Sequence, residues 1–139
     1  MLRIVIADEV REWVEGKLGF KVATPSWSLG IVRDDHLIGG VLYHNYTENN
    51  CEMTIATISS KWASRRVIRE LLSYPFEYLK CRRITASTDA NNTKSISMLN
   101  RLGFREEGII REGSPLNNGI DLIIFGLLKK EFYNGKIST

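Results

Sequence analysis

The chain has 139 residues, 43% of them apolar and 25% charged, with 19 lysines and arginines against 16 aspartates and glutamates. That length fits one compact domain with little room for a second, and the composition is that of a globular chain, not a disordered one. A net charge of +3 is too small to indicate nucleic acid, although it suits an anionic ligand.

Cys51 and Cys81 form no short-spaced framework and read as reduced, partly buried thiols. His36 and His44 lack the cysteine pair that a structural zinc site needs. No apolar run approaches the roughly 20 residues that cross a membrane, so a cytoplasmic location is the default expectation.

Residues 2–7 are rich in β-branched side chains, and Asp8, Glu9, Arg11 and Glu12 follow at once, which favours a first strand over a signal peptide. Asp8 is a candidate cap for a helix in which Val10, Trp13, Val14 and Leu18 recur at helical spacing, and Gly19 is its stop. Residues 21–26, with Pro25, read as a loop or irregular edge. Residues 27–33, 37–46 and 51–58 form an antiparallel meander, turning at Asp34-Asp35 and at residues 47–50. In its third strand Glu52, Thr54 and Ala56 share one face, and Met53, Ile55 and Thr57 the other.

A helical stripe of Val67, Ile68, Leu71 and Leu72 comes next, and Pro75 is expected to disturb it after about three turns. Residues 83–88 form a strand, 89–92 a loop, and 93–102 a second central helix that ends at Gly103. Residues 104–111 and 120–128 are the last strands, and 129–139 a polar tail with little need of a core position. The pattern predicts a single α/β domain over residues 1–139, a mixed twisted sheet with flanking helices.

The segment Ile58-Ser-Ser-Lys-Trp-Ala-Ser-Arg-Arg66 joins the meander to the first central helix. Helix starts expose unpaired amides that suit a phosphate or pyrophosphate. Ser60 or Ser64 is placed to cap that helix, and Arg65 and Arg66 add charged donors. On composition alone, an ordinary capped helix with solvent-facing arginines accounts for the segment at least as well.

Further on, Cys81-Arg-Arg-Ile-Thr-Ala-Ser-Thr-Asp-Ala-Asn-Asn-Thr-Lys-Ser95 is followed by Met98-Leu-Asn-Arg-Leu-Gly-Phe-Arg-Glu-Glu-Gly108. This stretch resembles the second half of a GNAT-superfamily acetyltransferase, and more narrowly the group of ribosomal-protein alanine N-acetyltransferases. The likeness covers residues 27–128. It implies an acyl-CoA N-acyltransferase fold, acetyl-CoA as cosubstrate, and transfer of acetyl to a primary amine of a protein N-terminus or a small molecule.

By that resemblance the amides of Lys61, Trp62, Ala63, Ser64, Arg65 and Arg66 hold the pyrophosphate of the coenzyme, Ile58 is a further coenzyme-binding residue, and Asn92 and Ser95 lie near its arm; capping the second central helix accounts for Asn92 and Ser95 equally well. The arm occupies a gap where residues 51–58 and 83–88 splay apart. Residues 61–66 lack the glycine that the family commonly places there for close backbone approach. Glu52 matches the family's carboxylate on the third meander strand and is the candidate base; a solvated strand-end acid is its plainer reading. His44 is a second candidate proton acceptor, on a face the sequence leaves open. The helix tyrosine that many members use as thiolate proton donor is Leu99 here. Carbonyl polarisation is expected from an amide within residues 56–58.

The acceptor is expected against the first helix, residues 19–26 and residues 114–119, with Trp13, Trp27 and Tyr43 as candidate lining. Two other classes compete with the enzyme. One is a coenzyme-binding or partner-binding protein without efficient catalysis. A nucleic-acid module is weaker: arginines surround Trp62, but no recognised motif supports it. A homodimer covering the meander edge or residues 120–128 is open on composition.

Overall fold

The computed structural model describes residues 1–135. The chain runs β1 (Leu2–Ile6), α1 (Asp8–Leu18), β2 (Trp27–Arg33), β3 (His36–His44) and β4 (Asn50–Thr57). A 3-10 turn (Ser60–Trp62) leads into α2 (Arg65–Glu77), β5 (Arg83–Asp89) and α3 (Thr93–Arg101). The chain then forms β6 (Arg105–Ile110), β7 (Leu122–Leu128) and α4 (Lys129–Asn134). The strands join one seven-stranded sheet in the order β1-β2-β3-β4-β5-β7-β6. All neighbours are antiparallel except β4 and β5.

The β2–β3 hairpin turns through Asp34 and Asp35, at φ 50° and 64°. Aspartate tolerates the two left-handed positions that match a hairpin to the sheet twist. At α1 the structure corrects the expected cap: Ala7 is the N-cap without a side-chain bond, and Asp8 lies inside the first turn. Gly19, at φ 82°, ends the helix as the sequence suggests. Val10 and Val14 bury against the strands where Gly30 and Gly40 face each other in register. A Cβ on Gly40 would lie 2.5 Å from Val14 Cγ2 and 2.9 Å from Val10 Cγ1, so the bare backbone is the seat of α1.

The opposite face carries the larger core, in which Val67, Leu71, Leu72 and Phe76 of α2 and Leu99 of α3 cover Leu29, Ile31, Val41, Tyr43, Cys51, Met53 and Ile84. Against expectation, α2 continues through Pro75 to Glu77. Proline lacks the N–H that would bond the carbonyl four residues earlier, which is that of Leu71. The buried Tyr43 hydroxyl donates to this Leu71 oxygen at 2.6 Å, supplying the missing donor. The polar tail also needs correction. Residues 129–134 are helical, and Phe132 is 3% exposed against Phe76, with ring centroids 5.5 Å apart. Residues 136–139 lie outside the described residues.

The two halves of the sheet meet at the parallel junction. Only Asn50↔Arg83, Cys51↔Ile84 and Glu52↔Thr85 pair there. Beyond Glu52 and Thr85 both strands continue, to Thr57 and Asp89, without pairing to each other.

Candidate active site

The splay leaves one edge of β4 without a neighbour, and the register says which backbone groups line it. Ile58 N–H donates to the Ile38 carbonyl of β3 at 2.9 Å. Antiparallel partners alternate between bonding and non-bonding positions. Ala56, Thr54 and Glu52 therefore also turn their backbone groups to β3, and Ile55 and Thr57 turn theirs into the gap, while the Met53 amide still faces β5 at the last pair, Glu52↔Thr85. The Asn49 carbonyl, of the same parity, accepts from Arg82 and Arg83 on the β5 side. The expected polarising amide is thereby narrowed, since within residues 56–58 only that of Thr57 faces the gap.

Two neighbouring cavities follow this edge. The larger, about 840 Å³, lies between the β4–α2 connection and α3; its lining includes Ile58, Trp62, Ala63, Lys94, Met98 and Arg101. The smaller, about 260 Å³, occupies the gap itself. Thr54, Ile55, Ala86, Ser87, Ser95 and Leu99 are among its walls, and Met98 is common to both cavities. The small cavity also reaches Leu18 and Phe20 after α1 and residues 114–117 before β7, so it passes through the sheet from the α3 face to the α1 face.

The connection that starts α2 is built by short-range caps. Ser59 Oγ accepts from Lys61 N–H at 3.1 Å, and Ser64 Oγ accepts from Val67 N–H at 3.2 Å. Trp62 is 5% exposed and anchors the connection in the core. Ala63 sits at φ −86°, ψ 50°, a negative φ that any residue adopts, so the turn works without glycine. On the far wall Asn92 Oδ1 accepts from Ser95 N–H at 3.1 Å and caps α3.

Of the residues singled out in the sequence, Ile58, Trp62 and Ala63 line the large cavity, and Asn92 and Ser95 the small one. Lys61, Ser64, Arg65 and Arg66 do not line either cavity. Arg66 points elsewhere: it bonds Glu70 at 2.8 Å and the Leu2 carbonyl. Lys94 and Arg101 escaped the sequence reading. Their signal was present, since positions 94 and 101 lie two turns apart on the helix face opposite its buried residues. Trp13 packs beneath α1, Trp27 against the α2-side core, and Tyr43 is fully buried, so the expected aromatic lining of an acceptor site is absent from the small cavity.

Glu52 stands where the two halves of the sheet part, on the α1 face, outside the cavity walls. Asn45 Nδ2 donates to its Oε2 at 2.9 Å, and His44 Nδ1 lies 3.8 Å from the same oxygen. The register sets His44 opposite Glu52, which settles the face the sequence left open. His44 is 7% exposed; its Nε2 is 2.7 Å from Thr54 Oγ1, and its Nδ1 has no hydrogen-bond partner. Burial lowers the imidazole pKa below its ordinary 6.5, and the Glu52 charge opposes this in part.

The open strand edge, the apolar trough and the cations on α3 fit a long molecule with an amide-bearing arm and an anionic end. A family model described as an acetyltransferase (GNAT) domain matches residues 5–105. The chain belongs to the GNAT acetyltransferase family. Among curated relatives of this GNAT chain is YdaF of Bacillus subtilis (strain 168), whose name gives ribosomal N-acetyltransferase as a provisional function. It is 32% identical over 113 residues, 77% of this chain and 62% of that protein. The chain spans less than two thirds of the length of the curated relatives it matches. A spermidine N-acetyltransferase from Vibrio cholerae superposes with a TM-score of 0.80 at 17% identity, covering 96% of each chain. A ribosomal-protein-S5-alanine acetyltransferase from Vibrio fischeri superposes with a TM-score of 0.67 at 23% identity, covering 77% of this chain and 63% of that one. These two likenesses speak to the GNAT fold alone. Among the described residues no helix is long and apolar enough to cross a membrane.

Proposed function

We propose that the chain transfers the acetyl group of acetyl-coenzyme A to a primary amine that enters the small cavity from the α1 face. The observation that carries this reading is the unpaired β4 edge, with the amides of Ile55 and Thr57 opening onto a trough through the sheet. An arm containing peptide-like amides satisfies such an edge as a neighbouring strand would. Ile58, Trp62 and Ala63 flank the arm, while Asn92 and Ser95 border its reactive end. Lys61 lies in the 3-10 turn before α2, Ser64 caps that helix and Arg65 and Arg66 open it, and its positive end favours the phosphates. Lys94 and Arg101 bring cationic side chains to the same cavity.

In the reaction the amine nitrogen attacks the thioester carbonyl carbon. The C–S bond breaks with its electron pair on sulfur, and one proton leaves the nitrogen. Glu52 is the proposed final proton acceptor. With Leu99 in place of a tyrosine, positioning contributes more to the rate than a side-chain acid does. The relative named for a ribosomal activity favours a protein N-terminus as acceptor. The carboxylates of Asp8 and Glu12 in the groove beside Phe20 suit any cationic amine.

Incubation with labelled acetyl-coenzyme A and a panel of peptides and amines tests the reading, together with calorimetric titration of the coenzyme. Transfer to at least one amine is expected, as is about tenfold weaker coenzyme binding by Arg101→Ala, in line with the loss of one charge-assisted contact. Coenzyme binding without transfer to any amine would instead support a non-catalytic binding protein. Absence of both would overturn the proposal.

A further inference from the structure

We propose that Thr54 and His44 form a proton relay that carries the acceptor's proton from the cavity to Glu52; the inference rests on the acetyl-transfer reading above. Glu52 itself does not border the small cavity, whereas Thr54 does. A carboxylate outside the walls needs an intermediary, and the geometry supplies one. Thr54 is a wall residue whose Oγ1 lies 2.7 Å from His44 Nε2, while His44 Nδ1 faces Glu52 Oε2 at 3.8 Å.

The tautomer follows from the neighbours. A carboxylate accepts only, so Glu52 favours the form with hydrogen on Nδ1, which leaves Nε2 as the acceptor for the Thr54 hydroxyl. In the relay Thr54 Oγ1 takes a proton from the acceptor nitrogen and passes its own to His44 Nε2. The resulting imidazolium presents Nδ1–H to the Glu52 carboxylate, which is 44% exposed at its side chain and returns the proton to solvent. One proton enters and one leaves, and no other reactant is needed.

The placement of Nδ1 is the second observation: it is buried, and the acceptor it faces is the Glu52 carboxylate. The charged group that acts on the ring is Glu52 of β4. On the same face α1 buries Val10 and Val14, and its Arg11 and Glu15 are engaged with each other and with the backbone of Val22. Asn45 is neutral and holds the carboxylate in place. Thr54 is the catalytic member of the set, since it meets the acceptor, and His44 is a positioning residue that acts through it.

The test compares Thr54→Val, Thr54→Ser and His44→Gln with the wild type. Readouts are kcat and KM against pH, calorimetric coenzyme affinity, thermal midpoint, and the His44 ring resonances by NMR in the free protein. Thr54→Val and His44→Gln are expected to lower kcat by about 10²-fold, the lower end of general-base contributions, with coenzyme affinity unchanged. Thr54→Ser keeps the hydroxyl and should recover most of the rate. The acidic limb of the wild-type kcat profile should follow the NMR titration of His44 and be lost in His44→Gln. If the wild type transfers acetyl and Thr54→Val matches it, or Thr54→Ser fails as badly as Thr54→Val, the relay is wrong while the transferase reading stands. If the wild type transfers to no amine, both fall.

Discussion

At the scale of single residues, His44 couples stability to pH in a direction that can be worked out. Burial lowers its pKa below 6.5, so between those two values the unfolded chain holds a proton that the folded one lacks. Stability is therefore complete above about pH 6.5 and falls as pH drops through 6.5 toward the folded value, by at most about 1.4 kcal/mol per unit. The wild-type thermal midpoint should fall more between pH 7.5 and pH 5.5 than that of His44→Gln. An equal fall in both proteins would show that the histidine is not the titrating group. Residue-level roles were the least legible part of the sequence. Arg66 sits beside the motif yet turns to Glu70 and Leu2, because a helix start fixes where amides point but not where a long side chain goes. His44 read as undetermined until the register set it opposite Glu52.

Among elements, α2 shows how a sequence rule can be right about chemistry and wrong about outcome. Pro75 does remove a helix bond, but the orphaned Leu71 carbonyl is met from β3, a partner 28 residues away that no local pattern reveals. Tyr43→Phe should cost about 1–3 kcal/mol, because it leaves that carbonyl buried without a donor. In a Pro75→Ala background the cost should shrink well below that, since the replacement restores the missing backbone N–H. Chemical denaturation of the four proteins in this cycle measures the coupling, and additive effects would refute the substitution of one donor for another. The C-terminal helix was missed for a related reason. Lys129, Lys130 and Asn134 make the segment polar, and a single buried Phe132 is too sparse for a periodic signal. Phe132→Ala should lower stability by about 3–5 kcal/mol in the same assay, the usual range for emptying a buried phenylalanine site. A change under about 1 kcal/mol would mean the helix is dispensable to the core.

For the whole molecule, the sheet was legible because its strands alternate or run apolar between clear turn signals, and strands joined by short turns have few ways to pair. The meander and the glycine after each of α1 and α3 needed no tertiary information. The gap between β4 and β5 could not be read that way. Nothing in residues 53–57 distinguishes a paired strand from an unpaired one, and only the resemblance implied that they part. Amide exchange gives a direct check. The amides of Ile55 and Thr57 should exchange much faster than those of Thr54 and Ala56 in the free protein, and slow by tenfold or more when coenzyme is added. Equal protection along β4 in the free protein would contradict the open edge.

A sheet joined at three residue pairs is two leaves on a short seam, and whatever fills the opening acts as a temporary rung between them. Folding strength then becomes a function of ligand supply: above saturation each tenfold rise in coenzyme adds about 1.4 kcal/mol. In the proposed binding mode the rungs grip the arm and not the acetyl group, so spent coenzyme should brace the leaves nearly as well as the loaded form, and the two should raise the thermal midpoint alike. Turnover would in that case be paced by the leaves letting go of the product, and kcat should rise in conditions that loosen the seam before they melt the protein.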